Sequence, residues 1–267
     1  MIPAAAGRKG EPDLNDIAVQ FRHVSMAFPG VLANDDVSLD IRKGEVFALV
    51  GENGAGKSTL MNILYGIHTP TGGSVSIRGE EVSRFSPRNA IDHGVGMVHQ
   101  HFMLVPSFTV AQNIVMSREP RRFGLFFDQR AAERETRRLV EEYGLTVDPN
   151  AVVAETGVGL QQRVEILKTL YRGAEILILD DSLSALDFAT DAALRKALAG
   201  LEGETTTFLV SQRVAGIRQA DKILVLDNGE LAGSGTHDEL MKSCEVYREI
   251  YFSQFPEDRA KYERGEM

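Results

Sequence analysis

The residues Gly51-Glu52-Asn53-Gly54-Ala55-Gly56-Lys57-Ser58 combine glycines, a lysine and a hydroxyl at a spacing that suits phosphate. Glycines let the backbone curl around an anion, so that several N–H groups and the start of a helix point inward. Lys57 then reaches the β and γ phosphates, and the Ser58 hydroxyl is a ligand for Mg²⁺. This chemistry requires a buried strand before the loop and a helix after it. The apolar run Val46-Phe47-Ala48-Leu49-Val50 supplies the strand, and residues 57–65 have helical character. Asp180 ends a second apolar run, Ile176-Leu177-Ile178-Leu179. A carboxylate at the end of a buried strand is the second Mg²⁺ anchor of P-loop enzymes, held through water.

The rest of the chain must position these groups. Val19 and Phe21, then Val37, Leu39 and Ile41, repeat at period two, as half-buried strands do. Gly72-Gly73 opens another strand around Val75 and Ile77. Helical spacing covers 110–117, 128–143 and 161–171. Strand and helix then alternate: a strand over 176–179, a helix over 191–201 and a strand over 206–210. Ile223-Leu224-Val225-Leu226 pairs with Leu231-Ala232 across Asp227-Asn228-Gly229, a hairpin signal. Residues 1–15 are small, polar and charged and are expected to be disordered. The charged residues from Pro256 onward are expected to fray.

Composition narrows the function class. The 267 residues suit one large domain, and a quarter of them are charged, ordinary for a globular protein. No apolar run reaches the roughly 18 residues that cross a bilayer. The alanines near the N-terminus precede Arg8 and Lys9, the reverse of a secretory signal, so none is expected. Cys244 is the only cysteine, which excludes an intrachain disulfide and suits a reducing compartment. A net charge of −9 argues against nucleic acid as a partner. No Asn-Lys-x-Asp sequence is present to read guanine, which argues against a GTPase.

With these motifs in place, residues 17–254 resemble the nucleotide-binding domain of ABC transporters. The resemblance implies an α/β fold: a P-loop NTPase (RecA-like) core with an N-terminal antiparallel β part and an inserted α-helical subdomain. The core is expected over 16–100 and 166–252, the helical subdomain over 101–165, and a charged tail over 255–267. It implies ATP and Mg²⁺ as ligands, bound by Gly51, Asn53, Gly54, Ala55, Gly56, Lys57, Ser58 and Thr59, with Ser58, Gln100 and Asp180 at the metal. Phe28, 23 positions before Gly51, matches the aromatic residue that stacks on adenine; a core phenylalanine is the alternative. Gln100 matches the Q-loop glutamine, and Ser184-Ala185-Leu186-Asp187 the D-loop. The implied partners are a second ATPase domain, as homo- or heterodimer, and transmembrane permease subunits. The implied location is the cytoplasmic face of the membrane, and the implied activity is ATP hydrolysis coupled to transport. A non-hydrolysing, ATP-gated dimerisation module is the alternative.

Up to residue 180 the motifs resemble importer ATPases for nucleosides or simple sugars, as in Met97-Val98-His99-Gln100-His101-Phe102-Met103-Leu104-Val105-Pro106. From Asp181-Ser182-Leu183-Ser184-Ala185-Leu186-Asp187 through residue 254 they resemble multidrug-type exporters, as in Gly235-Thr236-His237-Asp238-Glu239-Leu240. The change reads as a junction near 172–181 in a mosaic or engineered chain, or as a divergent natural subunit. Three positions depart from the family pattern. Asp181 stands where a glutamate polarises the attacking water, about 1.5 Å shorter in reach. Gln212 stands at the switch histidine. Thr156-Gly157-Val158-Gly159-Leu160 aligns with the signature Leu-Ser-Gly-Gly-Gln and lacks its serine, leaving backbone N–H groups at Gly157 and Gly159 to face a phosphate across the dimer.

Two features stand apart. Arg118, Arg121, Arg122, Arg130, Arg134, Arg137 and Arg138 form a basic cluster, read either as a solvated helix face balanced by glutamates or as a phospholipid-headgroup contact. Within it, Phe123-Gly124-Leu125-Phe126-Phe127 is either core or a segment that docks on a membrane subunit. His99 and His101, without cysteine or carboxylate partners, make a poor metal site.

Overall fold

A computed structural model describes residues 16–99, 102–180 and 205–264. Gln100, His101, Asp181, the D-loop segment 184–187, the helix expected over 191–201 and the tail 1–15 lie outside the described residues.

Period-two alternation forms β1 (Ile17–Phe28) and β2 (Val31–Arg42), an antiparallel pair. β3 (Val46–Val50) leads through the glycine loop into α1 (Lys57–Leu64). β4 (Gly72–Ile77) and β5 (Glu80–Glu81) then return to the first sheet, in the order β2-β1-β4-β5. After α2 (Pro87–Asp92), capped by the Ser86 hydroxyl, comes β6 (Val95–Val98). The middle of the chain holds α3 (Val110–Ile114), a small hairpin of β7 (Arg121–Arg122) and β8 (Phe126–Phe127), α4 (Gln129–Tyr143) and α5 (Val158–Tyr171). Then follow β9 (Ile176–Asp180), β10 (Thr206–Val210), β11 (Lys222–Asp227) and β12 (Glu230–Gly235). Helices α6 (His237–Ser243), α7 (Glu245–Gln254) and α8 (Pro256–Glu263) end the described chain.

The second sheet has the order β12-β11-β3-β10-β9-β6, parallel except for β12. Strands at its centre are apolar on both faces because both faces are covered. Alternate side chains enter two cores. Ala48 and Val50 of β3, with Leu177 and Leu179 of β9, pack toward α3, α5 and α7. Phe47 and Leu49, with Ile176 and Ile178, pack toward α1 and the antiparallel sheet. The fold is thus the α/β arrangement of a P-loop NTPase, with an antiparallel sheet on one face and helices on the other.

Three local readings differ from the sequence. Helix α5 starts at Val158, three residues before the glutamine expected to open it, because Gly157 already has the extended conformation of an N-cap. Helix α3 stops at Ile114, short of residue 117. The charged segment from Pro256 is helical rather than frayed. Pro256 starts α8, the Tyr262 ring meets Phe252 at 5.5 Å, and the Tyr262 hydroxyl donates to the Met241 carbonyl at 3.0 Å. Two contacts of one tyrosine outweigh a charged composition.

Helices α6 and α7 meet at His237, whose Nδ1 lies 2.8 Å from the buried Tyr247 hydroxyl and whose ring packs on Tyr251. Burial, with Arg218 nearby, holds the His237 imidazole below 6.5. The folded state therefore favours neutral histidine, and the unfolded chain binds the proton more readily. Stability from this site is complete above about pH 6.5 and is lost as pH falls through the lower folded-state value. Thermal unfolding followed between pH 7 and pH 5 is expected to show a falling midpoint. His237→Phe keeps a ring and removes the proton site, so its midpoint is expected to be lower at pH 7 but to fall less steeply.

Candidate functional site

The glycine loop leaves the C-terminal end of β3 and turns back into α1. Gly54 and Gly56 have φ of +84° and +93°, a left-handed backbone that favours glycine. Gly51 and Gly56 also have no room for a side chain. A Cβ on Gly51 would strike the Leu226 carbonyl, and one on Gly56 would strike the Ala33 carbonyl and come within 2.6 Å of the Asn34 amide nitrogen. Two neighbours thus press backbone against backbone: β2 through Ala33, and β11 through Leu226. Asn34, fully buried, donates to the Gly56 carbonyl at 3.2 Å, and the Asp35 N–H donates to the Gly229 carbonyl at 2.9 Å. Glu52, Asn53, Gly54 and Ser58 remain exposed, so the loop's open side faces solvent; Ala55 is buried and Thr59 is half-buried in α1.

Helix α1 has no side-chain cap at Gly56, so its first N–H groups are not bonded by a capping side chain. Lys57 is buried and folds across the loop, its Nζ donating to the carbonyls of Gly51 at 2.8 Å and Glu52 at 2.7 Å. β10 lies between β3 and β9, which separates their ends by two strand spacings, roughly 10 Å. Val210 is in register with both Leu49 and Asp180, so the three strands end level. The loop spans the gap: the Ser58 hydroxyl donates to the Asp180 carboxylate at 3.2 Å. A hydroxyl and a carboxylate side by side form a hard oxygen donor set that fits Mg²⁺, and a loop that leaves no room for a Cβ at Gly51 and Gly56 fits a polyphosphate.

Gln212, two residues beyond β10, reaches the same loop, its Nε2 donating to Asn53 Oδ1 at 2.6 Å. The backbone around it is held from the far end of the molecule. Gln254, the last residue of α7, donates through Nε2 to the Gln212 carbonyl at 2.7 Å and accepts from the Val214 N–H through Oε1 at 2.9 Å. This clamp was not legible in the sequence. A polar residue at a helix end 42 positions away carries no local signal.

Phe28 ends β1 at the tip of the β1–β2 hairpin, 37% exposed and edge-on to His68 at 5.4 Å. It belongs to neither sheet-face core. Its cross-strand partner is Val31, three residues (roughly 10 Å of strand) from the Asn34 that touches Gly56. Gly157 and Gly159 lie at the start of α5. Gly157 caps α5 without a side-chain bond, and a Cβ there would meet nothing within 4 Å. Gln161 secures the turn before it, donating to the Thr156 carbonyl at 3.0 Å. Further along α5, the buried Lys168 donates to the Met103 carbonyl at 2.6 Å with Glu165 at 3.4 Å. Burial lowers its pKa, opposed by Glu165. The 51–59 loop, Asp180 and Gln212 therefore share one end of the parallel strands, with Phe28 on the neighbouring β1–β2 hairpin and 157–159 at the start of α5. Gln100 and Asp181 lie outside the described residues.

The family model described as ABC transporter matches residues 34–184. The guanosine import ATP-binding protein NupO of Bacillus subtilis (strain 168) is 42% identical over 248 residues, covering 89% of this chain and 48% of that protein. The nucleoside import ATP-binding protein NupA of Lactococcus lactis subsp. cremoris (strain MG1363) is 45% identical over 219 residues, covering 81% of this chain and 43% of that protein. The chain spans about half the length of these curated relatives. Covering 89% of the chain, the likeness to NupO runs past residue 181, so importer likeness does not end where exporter motifs begin. A bacterial Atm1-family ABC exporter solved with ATP bound superposes with a TM-score of 0.74 at 25% identity, over 91% of this chain and 43% of that one.

The Gln254 clamp generates a graded expectation. Gln254→Leu removes both bonds and Gln254→Glu removes only the donor to Gln212. Amide hydrogen exchange at Val214 is expected to quicken most in Gln254→Leu, by about five- to tenfold for the loss of a bond worth about 1 kcal/mol, and least in Gln254→Glu. Equal exchange in all three proteins would show that the clamp does not hold the segment.

Proposed function

The chain belongs to the ABC transporter family, and on that premise we propose that it is the ATP-binding component of an importer for a nucleoside or simple sugar, acting at the cytoplasmic face of a membrane. The observation that carries the reading is the loop 51–58 stretched from β3 to the end of β9, with Ser58 on Asp180 and Gln212 on Asn53. Its relatives NupO and NupA are named as import ATP-binding proteins for guanosine and nucleosides, which favours import over export. No helix among the described residues is long and apolar enough to cross a membrane, which fits a chain that works with separate permease subunits.

In this proposal the loop N–H groups and those at the start of α1 bind the β and γ phosphates, and Lys57 swings from the Gly51 and Glu52 carbonyls to the phosphate oxygens. Ser58, Asp180 and Gln100 would hold Mg²⁺, which when bound neutralises developing charge on the phosphates. Phe28 packs on adenine. The segment 157–159 faces a partner's loop in an ATP-bound dimer, its open N-terminal turn serving where a serine hydroxyl is missing. Asp181 orients the attacking water and Gln212 donates to the γ-phosphate. The domain division follows: a core over 16–100 and 166–252, with a helical subdomain over 101–165 carrying the signature segment.

Lys57→Ala is expected to weaken MgATP binding at least tenfold in a fluorescence titration, since a hydrogen bond between charged groups contributes about 1.5–3 kcal/mol. Unchanged affinity would reject the site.

Turnover is expected to be slow. General-base catalysis contributes about 10²–10⁴-fold, and a carboxylate set back by about 1.5 Å forfeits part of it. Asp181→Glu is expected to raise kcat at saturating MgATP, and adding Gln212→His to raise it by more than the product of the two single effects, because both groups act at one phosphate. Dimer formation is checked by light scattering in each protein. An unchanged kcat with an intact dimer would place the limit elsewhere, with Gly157→Ser the next variant to measure.

A further inference from the structure

The hairpin β7–β8 is the apolar segment the ATP site does not use. It is not core: Phe123 and Leu125 are each 82% exposed and Phe126 is 69% exposed. None of the hairpin's apolar residues joins any of the three hydrophobic clusters. The turn is built to display them. The Leu125 N–H donates to the Arg122 carbonyl at 3.3 Å, and Phe123 (φ +53°) and Gly124 (φ +75°) both have the left-handed backbone of a type I′ turn. A phenylalanine there is unfavourable, so the local backbone prefers another residue at the very tip.

Its charges are equally one-sided. Cross-strand pairing sets Arg121 opposite Phe127 and Arg122 opposite Phe126, and the Arg122 guanidinium lies 5.3 Å from the Phe123 ring centre. The two acids at the base accept from backbone donors. Glu119 accepts from the Ser117 N–H at 3.0 Å, which holds its carboxyl below the usual range, and Asp128 accepts from the Ala131 N–H at 3.0 Å as the cap of α4. On α4, Arg137 and Arg138 pair with Glu133, Glu135 and Glu142, whereas Arg130 and Arg134 are exposed with no ion pair among the described residues.

We propose that the tip Phe123-Gly124-Leu125-Phe126 enters the interface of an anionic bilayer, with Arg121 and Arg122 at the level of the lipid phosphates. A convex apolar point ringed by guanidinium groups suits a deformable surface whose acyl boundary takes the rings and whose headgroups take the charge. The chain as a whole carries −9, so bulk attraction to an anionic surface is not expected and the local arrangement must provide it. The proposal does not depend on the nucleotide site.

Flotation of the full chain with vesicles tests it. The chain is expected to float at low salt with vesicles of phosphatidylcholine and phosphatidylglycerol and not with phosphatidylcholine alone. Arg121→Gln and Arg122→Gln are each expected to lower partitioning about fivefold. Phe123→Ser with Leu125→Ser is expected to lower it by roughly tenfold or more. MgATP affinity, measured on the same proteins, is expected to stay unchanged, which separates failure here from failure of the ATP site. Absence of flotation at low salt, or equal flotation of the tip variant, overturns the proposal. A tip variant that loses association with solubilised permease while the wild type ignores vesicles overturns it too, assigning the hairpin to a protein surface.

Discussion

The structure depends on a contact between backbones. A loop that turns its N–H groups toward an anion must curl so tightly that its ends cannot carry side chains, and neighbouring segments fill the space a Cβ would take. Gly51 faces the Leu226 carbonyl and Gly56 faces the Ala33 carbonyl, so β11 and β2 are fixed against the loop. The Asp35 to Gly229 hydrogen bond ties those two neighbours to each other. The antiparallel sheet, which holds none of the phosphate-contacting groups of the loop, therefore helps to shape it. Any substitution at Gly56 meets both a positive φ and a carbonyl, and relief would require β2 to move.

Legibility in the sequence followed how local each signal was. The apolar runs over 46–50, 176–179 and 206–210 gave central strands because a strand buried on both faces needs no partner to reveal it. The phosphate loop was legible for the same reason: the constraint on its glycines lies within eight consecutive residues. The hairpin β7–β8, with two residues in each strand, was too short for alternation to show. The helix Pro256–Glu263 was hidden because Tyr262 rests on Phe252 and Met241, contacts that composition does not encode. The Gln254 clamp joins a strand exit to a helix end and exists only once the sheet has brought them together.

That clamp and the Lys168 contact are alike in kind. Each uses a helix to hold the backbone of a segment near the site. Gln254 on α7 holds residues 212 and 214, and Lys168 on α5 holds the carbonyl of Met103, three residues beyond Gln100. A buried lysine is costly, and Glu165 with one carbonyl offsets only part of that cost. Removing either carboxylate or carbonyl would leave a buried charge short of partners, so α5 and the 103 segment are constrained to move together.

The helix caps sort the chain in the same direction. The Ser86, Thr109, Asp128 and Thr236 side chains bond the first turns of α2, α3, α4 and α6. α1 and α5 begin after glycines with no such bond. The late helices α7 and α8 also lack caps, but there Cys244 and Phe255 end one helix and begin the next, so the chain has little freedom to choose. At α1 the left-handed Gly56 has no room for a capping side chain, whereas at the extended Gly157 a serine or aspartate would contribute roughly a few tenths of a kcal/mol. The loss makes sense if the N–H groups are to be completed by an anion rather than by the chain itself, because a cap would occupy them. Gly56 is closed in by Ala33 and Asn34, whereas Gly157 has nothing within 4 Å of where a side chain would start. Two helix starts are thus left uncapped by side chains, one closed in by the neighbours of the loop and the other unobstructed.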